Sequence, residues 1–270
     1  MKVFVVDQSI CNGCYCCQIA CKDEHVGNDW MPYARPQPDA GQFWVKVQER
    51  VRGSVPKVRV SYQPQMCMHC EDAPCMKACQ PGAIYRRDDG LVVIDPAKCT
   101  GCKLCPDACP YEAIYFNDGM NLAQKCTGCA HLLDDGWDLP RCVDACASGA
   151  LKFGEVEQFK EQIAQAAQDQ PGGCRGRVFY LNAPKTFVAG TIYEPTEKEV
   201  IVGATCTLTD PERNLSYTVQ TDGFGDFWFE GLPEGGTYSL RIDKSGKSKL
   251  IENIDATKDV NLGDIPMGLA

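Results

Sequence analysis

Residues 99–110 read Cys99-Thr100-Gly101-Cys102-Lys103-Leu104-Cys105-Pro106-Asp107-Ala108-Cys109-Pro110, four cysteines at intervals of three, three and four residues. The same intervals recur near the start, at Cys11, Cys14, Cys17 and Cys21. Two looser groups of four accompany them: Cys67, Cys70, Cys75, Cys79, and Cys126, Cys129, Cys142, Cys146. Of the 19 cysteines in this 270-residue chain, 17 lie between Cys11 and Cys146, leaving only Cys174 and Cys206 beyond. The chemistry of the chain therefore changes near residue 150, and the length suits two ordinary domains. A disulfide mini-protein, which is short and secreted, does not fit that distribution.

A formal net charge of −9 argues against a nucleic-acid partner, because binding phosphates needs a basic face. No apolar run is long enough to span a bilayer. Met1 to Ile10 lack the charged and apolar regions of a signal peptide, and the Arg86-Arg87 pair is internal. A cytoplasmic location is expected, unless the chain is exported together with a partner that carries the signal. In a reducing compartment so many thiols are kept for metal.

The run C-x2-C-x2-C-x3-C, followed in the third group by Pro110, is the bacterial ferredoxin spacing for a 4Fe-4S cubane. Three closely spaced thiolates on one loop can each reach an iron of one compact cube. The fourth, at the start of the following helix, reaches a neighbouring cube, so such motifs work in pairs. Structural zinc uses two Cys pairs and has no use for the third cysteine. Sixteen ligands thus suggest four clusters.

Internal repetition sets the pairing. Phe4-Val5-Val6-Asp7 before Cys11 matches Val92-Val93-Ile94-Asp95 before Cys99, and both lead into a Cys-x-Gly-Cys turn. Similar tails follow three of the fourth-position cysteines: Gln80-Pro81-Gly82-Ala83-Ile84, Pro110-Tyr111-Glu112-Ala113-Ile114 and Ala147-Ser148-Gly149-Ala150-Leu151. This pattern reads as two ferredoxin units, the inner one inserted within the outer. The expected ligand sets are Cys11, Cys14, Cys17 with Cys146; Cys126, Cys129, Cys142 with Cys21; Cys67, Cys70, Cys75 with Cys109; and Cys99, Cys102, Cys105 with Cys79. Four thiolates on every cube leave no open iron for substrate, so the role expected is electron transfer, with no catalytic residues.

Cys16 is a surplus thiol, a packed bystander in preference to an alternative ligand. His25, His69 and His131 lie beside the groups and suit hydrogen bonding better than ligation, since the thiolate sets are complete. Lys22, Lys103 and Lys125 either raise cluster potentials or are simply solvated. Phe43, Val45, Val47 and then Val58, Val60, Tyr62 predict a hairpin that braces the clusters or meets a partner. Val156, Phe159, Ile163, Ala166 and Ala167 form a helical stripe ended by Pro171-Gly172-Gly173. Beyond it, alternating Val188, Gly190, Ile192; Ala204, Cys206, Leu208; Leu215, Tyr217, Val219; Phe227, Phe229; and Tyr238, Leu240, Ile242 predict a small antiparallel sandwich. The expected division is an α+β chain: a four-cluster ferredoxin domain over 1–154, a linker helix over 155–174, and a sandwich over 175–270.

The four ordered cysteine groups resemble the iron–sulfur electron-transfer subunits of molybdopterin oxidoreductases in the dimethyl sulfoxide reductase superfamily. Ala20-Cys21-Lys22-Asp23-Glu24-His25-Val26, the segment Gln124-Lys125-Cys126-Thr127-Gly128-Cys129-Ala130-His131-Leu132-Leu133-Asp134-Asp135, and the appended sandwich look like the small subunits of pyrogallol-phloroglucinol transhydroxylase and the catechol dehydroxylases. Asp222-Gly223 before Phe227, and Gly231-Leu232-Pro233-Glu234-Gly235 before Tyr238, are similar to the seven-stranded transthyretin-like and carboxypeptidase-regulatory domains. The resemblance implies a large catalytic partner holding bis-molybdopterin guanine dinucleotide with molybdenum or tungsten, an external electron donor, and a heterodimer or larger complex. The transhydroxylase branch, as generally described, lacks the cluster of the third group, whereas Cys99, Cys102 and Cys105 are intact here. That departure points to a net reductase, one that removes a hydroxyl from a catechol-type phenol with electrons entering at the Cys99 cluster and leaving by the Cys11 and Cys126 pair. The same relay could serve a transhydroxylase or a formate or oxyanion enzyme, or the chain could be a free multi-cluster ferredoxin.

Overall fold

The structure is a computed structural model that describes residues 1–166 and 174–268. It divides into two compact units, one of residues 1–49 and 61–183, the other of residues 50–60 and 184–270. Strands predominate and the helices are short.

The first unit contains β1 (Lys2–Asp7), α1 (Cys16–His25), the paired strands β2 (Val45–Ser54) and β3 (Lys57–Met66), α2 (Pro74–Ala78), β4 (Ile84–Arg86), β5 (Val92–Ile94), α3 (Leu104–Asp107), β6 (Tyr115–Asn117), β7 (Leu122–Gln124), α4 (Ala130–Asp134), α5 (Arg141–Asp144), β8 (Leu151–Glu155), α6 (Lys160–Ile163) and β9 (Val178–Leu181). The tips of β2 and β3 belong to the second unit. β1 before the first cysteine group pairs antiparallel with β8 after the fourth, Val5 opposite Lys152. β4 after the second group pairs with β5 before the third, Tyr85 opposite Val93. β6 and β7 join the third group to the fourth, Phe116 opposite Ala123. The β1–β8 pair closes the whole cysteine-bearing stretch, while β4–β5 and β6–β7 are tight hairpins that link one cysteine group to the next. Val3 to Val6 are all buried, because β1 is the middle strand of the order β8-β1-β9 and has cover on both faces.

Two expectations about this unit need correction. Among the described residues, the stripe after residue 155 is not the continuous linker helix expected over 155–174. Glu155 and Gln158 make a capping box over a 3-10 turn, Val156–Phe159, and α6 follows it. Phe159, Ile163 and Ala166 pack against Val5 and Leu181, so this stripe is part of the first unit's core. Ala167 and Pro171-Gly172-Gly173 lie outside the described residues. The boundary expected at 174/175 also moves, because β9 runs parallel to β1 with Phe4 opposite Val178, which ties the chain to the first unit as far as Ala183.

The second unit is built from β10 (Thr186–Glu194), β11 (Glu199–Val200), β12 (Thr205–Asp210), β13 (Leu215–Gln220), β14 (Asp226–Leu232), β15 (Thr237–Lys244), β16 (Lys247–Asp255) and β17 (Val260–Pro266). These form two four-stranded sheets: β11-β10-β14 with β17 beside β10, and β13-β12-β15-β16. Val188, Ile192, Phe227 and Phe229 of one sheet share a core with Cys206, Leu208, Tyr238, Leu240 and Ile242 of the other. Cys206 is completely buried on the apolar face of β12. The expected seven antiparallel strands become eight, because the exposed two-residue β11 adds one, and the β10–β17 pair is parallel. Residues 50–60 join this unit through named contacts. Lys57 is ion-paired with Asp226. The Arg59 guanidinium stacks 3.6 Å from the centre of the Trp228 ring and pairs with Glu230 at 2.7 Å.

Candidate iron–sulfur sites

Each cysteine group begins in a Cys-x-x-Cys turn and continues onto a short helix. The third position of the turn must adopt a left-handed backbone, and three groups place glycine there: Gly13, Gly101 and Gly128 have φ of 68°, 71° and 64°. The later cysteines ride on or just after helices: Cys17 and Cys21 on α1, Cys75 on α2 with Cys79 after it, Cys105 on α3 with Cys109 beyond its end, and Cys142 on α5 with Cys146 beyond. Cys17 and Cys21, one turn apart on α1, have different neighbours: Cys11, Cys14 and Cys146 for Cys17, Cys126 and Cys129 for Cys21.

Two of the expected quartets each converge on a cavity, and electrostatic proximity links the thiols of the other two. Cys67, Cys70, Cys75 and Cys109 line one small cavity, together with His69, Val92, Tyr111 and Ile114. Cys79, Cys99, Cys102 and Cys105 line a second, with Ile94 and Phe116. Cys11, Cys14 and Cys146 all lie within electrostatic reach of Cys17. Cys21, Cys126 and Cys129 stand in the same relation to Cys142, as does Cys17, which shares α1 with Cys21.

Burial, reinforced by neighbouring sulfur charge, pushes the thiols up to about 12 at Cys17, Cys70 and Cys105, and raises Cys21 and Cys142 well above the ordinary range. Four thiolates in such a setting need positive charge between them. Backbone N–H groups already point at several sulfurs: His69 N–H to Cys67 Sγ at 3.5 Å, Gly128 N–H to Cys126 Sγ at 3.4 Å, Ala113 N–H to Cys109 Sγ at 3.5 Å and Leu151 N–H to Cys146 Sγ at 3.3 Å. Such bonds favour sulfur carrying negative charge. Among the described residues no three His, Cys, Asp or Glu side chains are close enough to hold a single metal ion. A structural zinc would need that convergence, whereas a cubane takes one thiolate on each of four irons. The quartets and their surroundings therefore fit 4Fe-4S clusters.

The residues beside the quartets differ in kind. Lys103 is a solvated partner of Asp118 at 2.9 Å, and Lys22 is tied to the carbonyls of Pro38 and Gln42. Lys125 is 2% exposed, and its ammonium donates to the carbonyls of Val92 and Cys126. Its charge acts on both Cys75 and Cys126, which belong to different quartets. His25 is buried with Nε2 4.0 Å from Cys129 Sγ. His131 Nε2 bonds Glu24 at 3.0 Å and stacks on Trp30, while Arg141 approaches the other Glu24 oxygen at 3.4 Å. Sequence reasoning missed this Glu24–His131–Arg141 group and the burial of Lys125. Both depend on segments distant along the chain, and no spacing signals them.

Comparison with known proteins adds the following. Residues 58–156 match a family model described as a 4Fe-4S dicluster domain, and residues 188–267 match one described as a carboxypeptidase regulatory-like domain. The pyrogallol hydroxytransferase small subunit of Pelobacter acidigallici is 36% identical over 97% of this chain and 98% of its own length. A putative dimethyl sulfoxide reductase iron-sulfur subunit of Halobacterium salinarum is 37% identical over 60% of this chain and 68% of its own. One chain of the anaerobic dimethyl sulfoxide reductase of Escherichia coli is 36% identical over 62% of this chain and 80% of its own.

Proposed function

Because the chain belongs to the iron–sulfur electron-transfer subunits of the molybdopterin oxidoreductases of the dimethyl sulfoxide reductase superfamily, we propose that it holds four 4Fe-4S clusters in two ferredoxin-like pairs and relays electrons between an external donor and a large molybdopterin catalytic subunit. The ligand sets are Cys11, Cys14, Cys17, Cys146; Cys21, Cys126, Cys129, Cys142; Cys67, Cys70, Cys75, Cys109; and Cys79, Cys99, Cys102, Cys105. When bound, the clusters supply one-electron transfer. The chain's own part is to supply the thiolates, to bring N–H groups to the sulfurs, and to keep water from the more buried sites. Bis-molybdopterin guanine dinucleotide with molybdenum or tungsten belongs to the catalytic subunit in this reading.

The observation that supports the reading is the convergence of Cys67, Cys70, Cys75 and Cys109 on one cavity and of Cys79, Cys99, Cys102 and Cys105, the third group included, on another. A complete third group supports a net reductase, and the reaction proposed is reductive removal of a hydroxyl from a catechol-type phenol. Cys102 and the neighbouring Leu104 are exposed, which supports access by an electron donor at that quartet. The full-length likeness to a pyrogallol hydroxytransferase small subunit favours a second reading, a transhydroxylase. Iron and sulfide analysis of the purified complex, with a redox-poised electron paramagnetic resonance titration, tests the first part: about 16 iron atoms per chain are expected, and fewer than four clusters would break the ligand sets. Reductant consumed per phenol converted separates the two reactions. One two-electron equivalent per turnover supports the dehydroxylase, and turnover without reductant supports the transhydroxylase.

A further inference from the structure

We infer that His69 donates a hydrogen bond from Nε2–H to the cluster held by Cys67, Cys70, Cys75 and Cys109, and so raises the reduction potential of that cluster. The inference rests on the proposed binding of a cluster by this quartet. In the other three cysteine groups the third turn position is glycine. Here it is His69, held at φ 46°, a left-handed conformation in which a β-carbon crowds the backbone. A side chain has been kept where the turn itself would be better served by none.

That side chain is completely buried and lines the same cavity as the four cysteines. Its Nδ1 is committed: the backbone N–H of Val92 donates to it at 3.0 Å. A neutral imidazole that accepts at Nδ1 carries its only proton on Nε2. Nε2 is buried and has no hydrogen-bond partner among the described residues. Because Nδ1 accepts from the Val92 N–H it carries no proton, so the tautomer follows from geometry. Phe4 stacks alongside at a centroid separation of 6.2 Å and limits rotation of the imidazole. A buried N–H without a protein acceptor is costly, so its position at a wall of the cavity points to sulfur of the bound cluster as the acceptor. Such a bond strengthens as the cluster gains negative charge on reduction, which raises the potential.

The test uses the intact complex, purified without oxygen after growth on histidine labelled with ¹⁵N in the ring only, because the His69 backbone N–H also approaches Cys67. In the reduced complex, pulsed paramagnetic resonance should detect a ring ¹⁵N coupling and an exchangeable proton on the signal that Cys70→Ser alters. His69→Leu should abolish both and lower that cluster's midpoint by about tenfold in the reduction equilibrium, about 59 mV for one electron, with iron and sulfide content unchanged. His69→Gln, whose amide can both accept and donate, should recover part of the shift. Absence of the ring ¹⁵N coupling in the unaltered complex overturns the inference even if His69→Leu fails to fold, and so does an unmoved midpoint in a fully loaded His69→Leu complex. If Cys70→Ser changes neither the iron content nor any signal, the quartet holds no cluster, and the proposed relay fails together with the inference.

Discussion

Gly128 lies between Cys126 and Cys129, at φ 64°, and a β-carbon added there would come within 2.7 Å of Leu91 Cδ1 and 3.0 Å of Cδ2. Leu91 is fully buried, so it has no open space into which to retreat. Gly128→Ala therefore combines two costs. The left-handed backbone costs a non-glycine residue about 1–2 kcal/mol, and forcing extra volume into a packed core costs about 1–3 kcal/mol. Against them stands about 0.4–1 kcal/mol from the stiffer unfolded chain. The net loss is about 2–4 kcal/mol. Gly149 is a matched control: its φ is 67°, and an added β-carbon would meet nothing within 4 Å. Gly149→Ala should cost about 1 kcal/mol or less, from the backbone alone. Anaerobic guanidinium unfolding of the loaded chain, followed by circular dichroism and by cluster absorbance, should separate the two variants by about 1–3 kcal/mol. Gly128→Ala should also shed iron from the Cys126 quartet before the others, because the Gly128 N–H that faces Cys126 Sγ moves with the turn. Equal midpoints for the two variants would refute the packing argument.

Other consequences are open to measurement. Lys125→Met removes a buried ammonium that acts on Cys75 and Cys126, so the clusters of both quartets should become harder to reduce while the two others hold their potentials; a redox titration showing all four unmoved would remove Lys125 from any tuning role. In the second unit, burial pushes the Asp226 carboxyl up, but hydrogen bonds from Lys57 and Thr191 outweigh it and hold it below its ordinary value of 3.8. Lys57→Met should cost about 1–3 kcal/mol at neutral pH, between the values for exposed and buried pairs. Because the depressed carboxylate stabilises the fold only above its unfolded value, the gap between wild type and Lys57→Met should close as the pH falls below 3.8 and through the folded value; a gap independent of pH would contradict the ion pair. Cys16 is exposed, not packed as expected, and outside all four proposed ligand sets, so Cys16→Ser should keep the full iron content; loss of a cluster would make it a ligand.

Much of the candidate site could be read along the chain because thiolate ligation is local. Cys99, Cys102 and Cys105 share one turn and the helix after it, and their intervals are set by the size of what they hold. The repeated segments before Cys11 and Cys99 form β1 and β5, and each pairs with a strand that follows another cysteine group, β8 and β4. Elsewhere periodicity was a weaker guide. The apolar stripe of Phe159, Ile163 and Ala166 has the spacing of a linker helix, yet it covers Val5 and Leu181, a match that depends on strands far away in the chain. β16 has few apolar residues and β11 only two residues, so neither carries an alternation to read.

A cluster-binding chain with a β-rich appendage is legible from residue order alone, because cysteine spacing and strand alternation depend only on near neighbours. Folding was needed to reveal that β9 completes the sheet around β1, that residues 50–60 belong with the second unit, and that Lys125 and His69 are buried beside sulfur. Burial and the direction of a lone N–H are set by segments that meet from opposite ends of the chain. No local pattern encodes them.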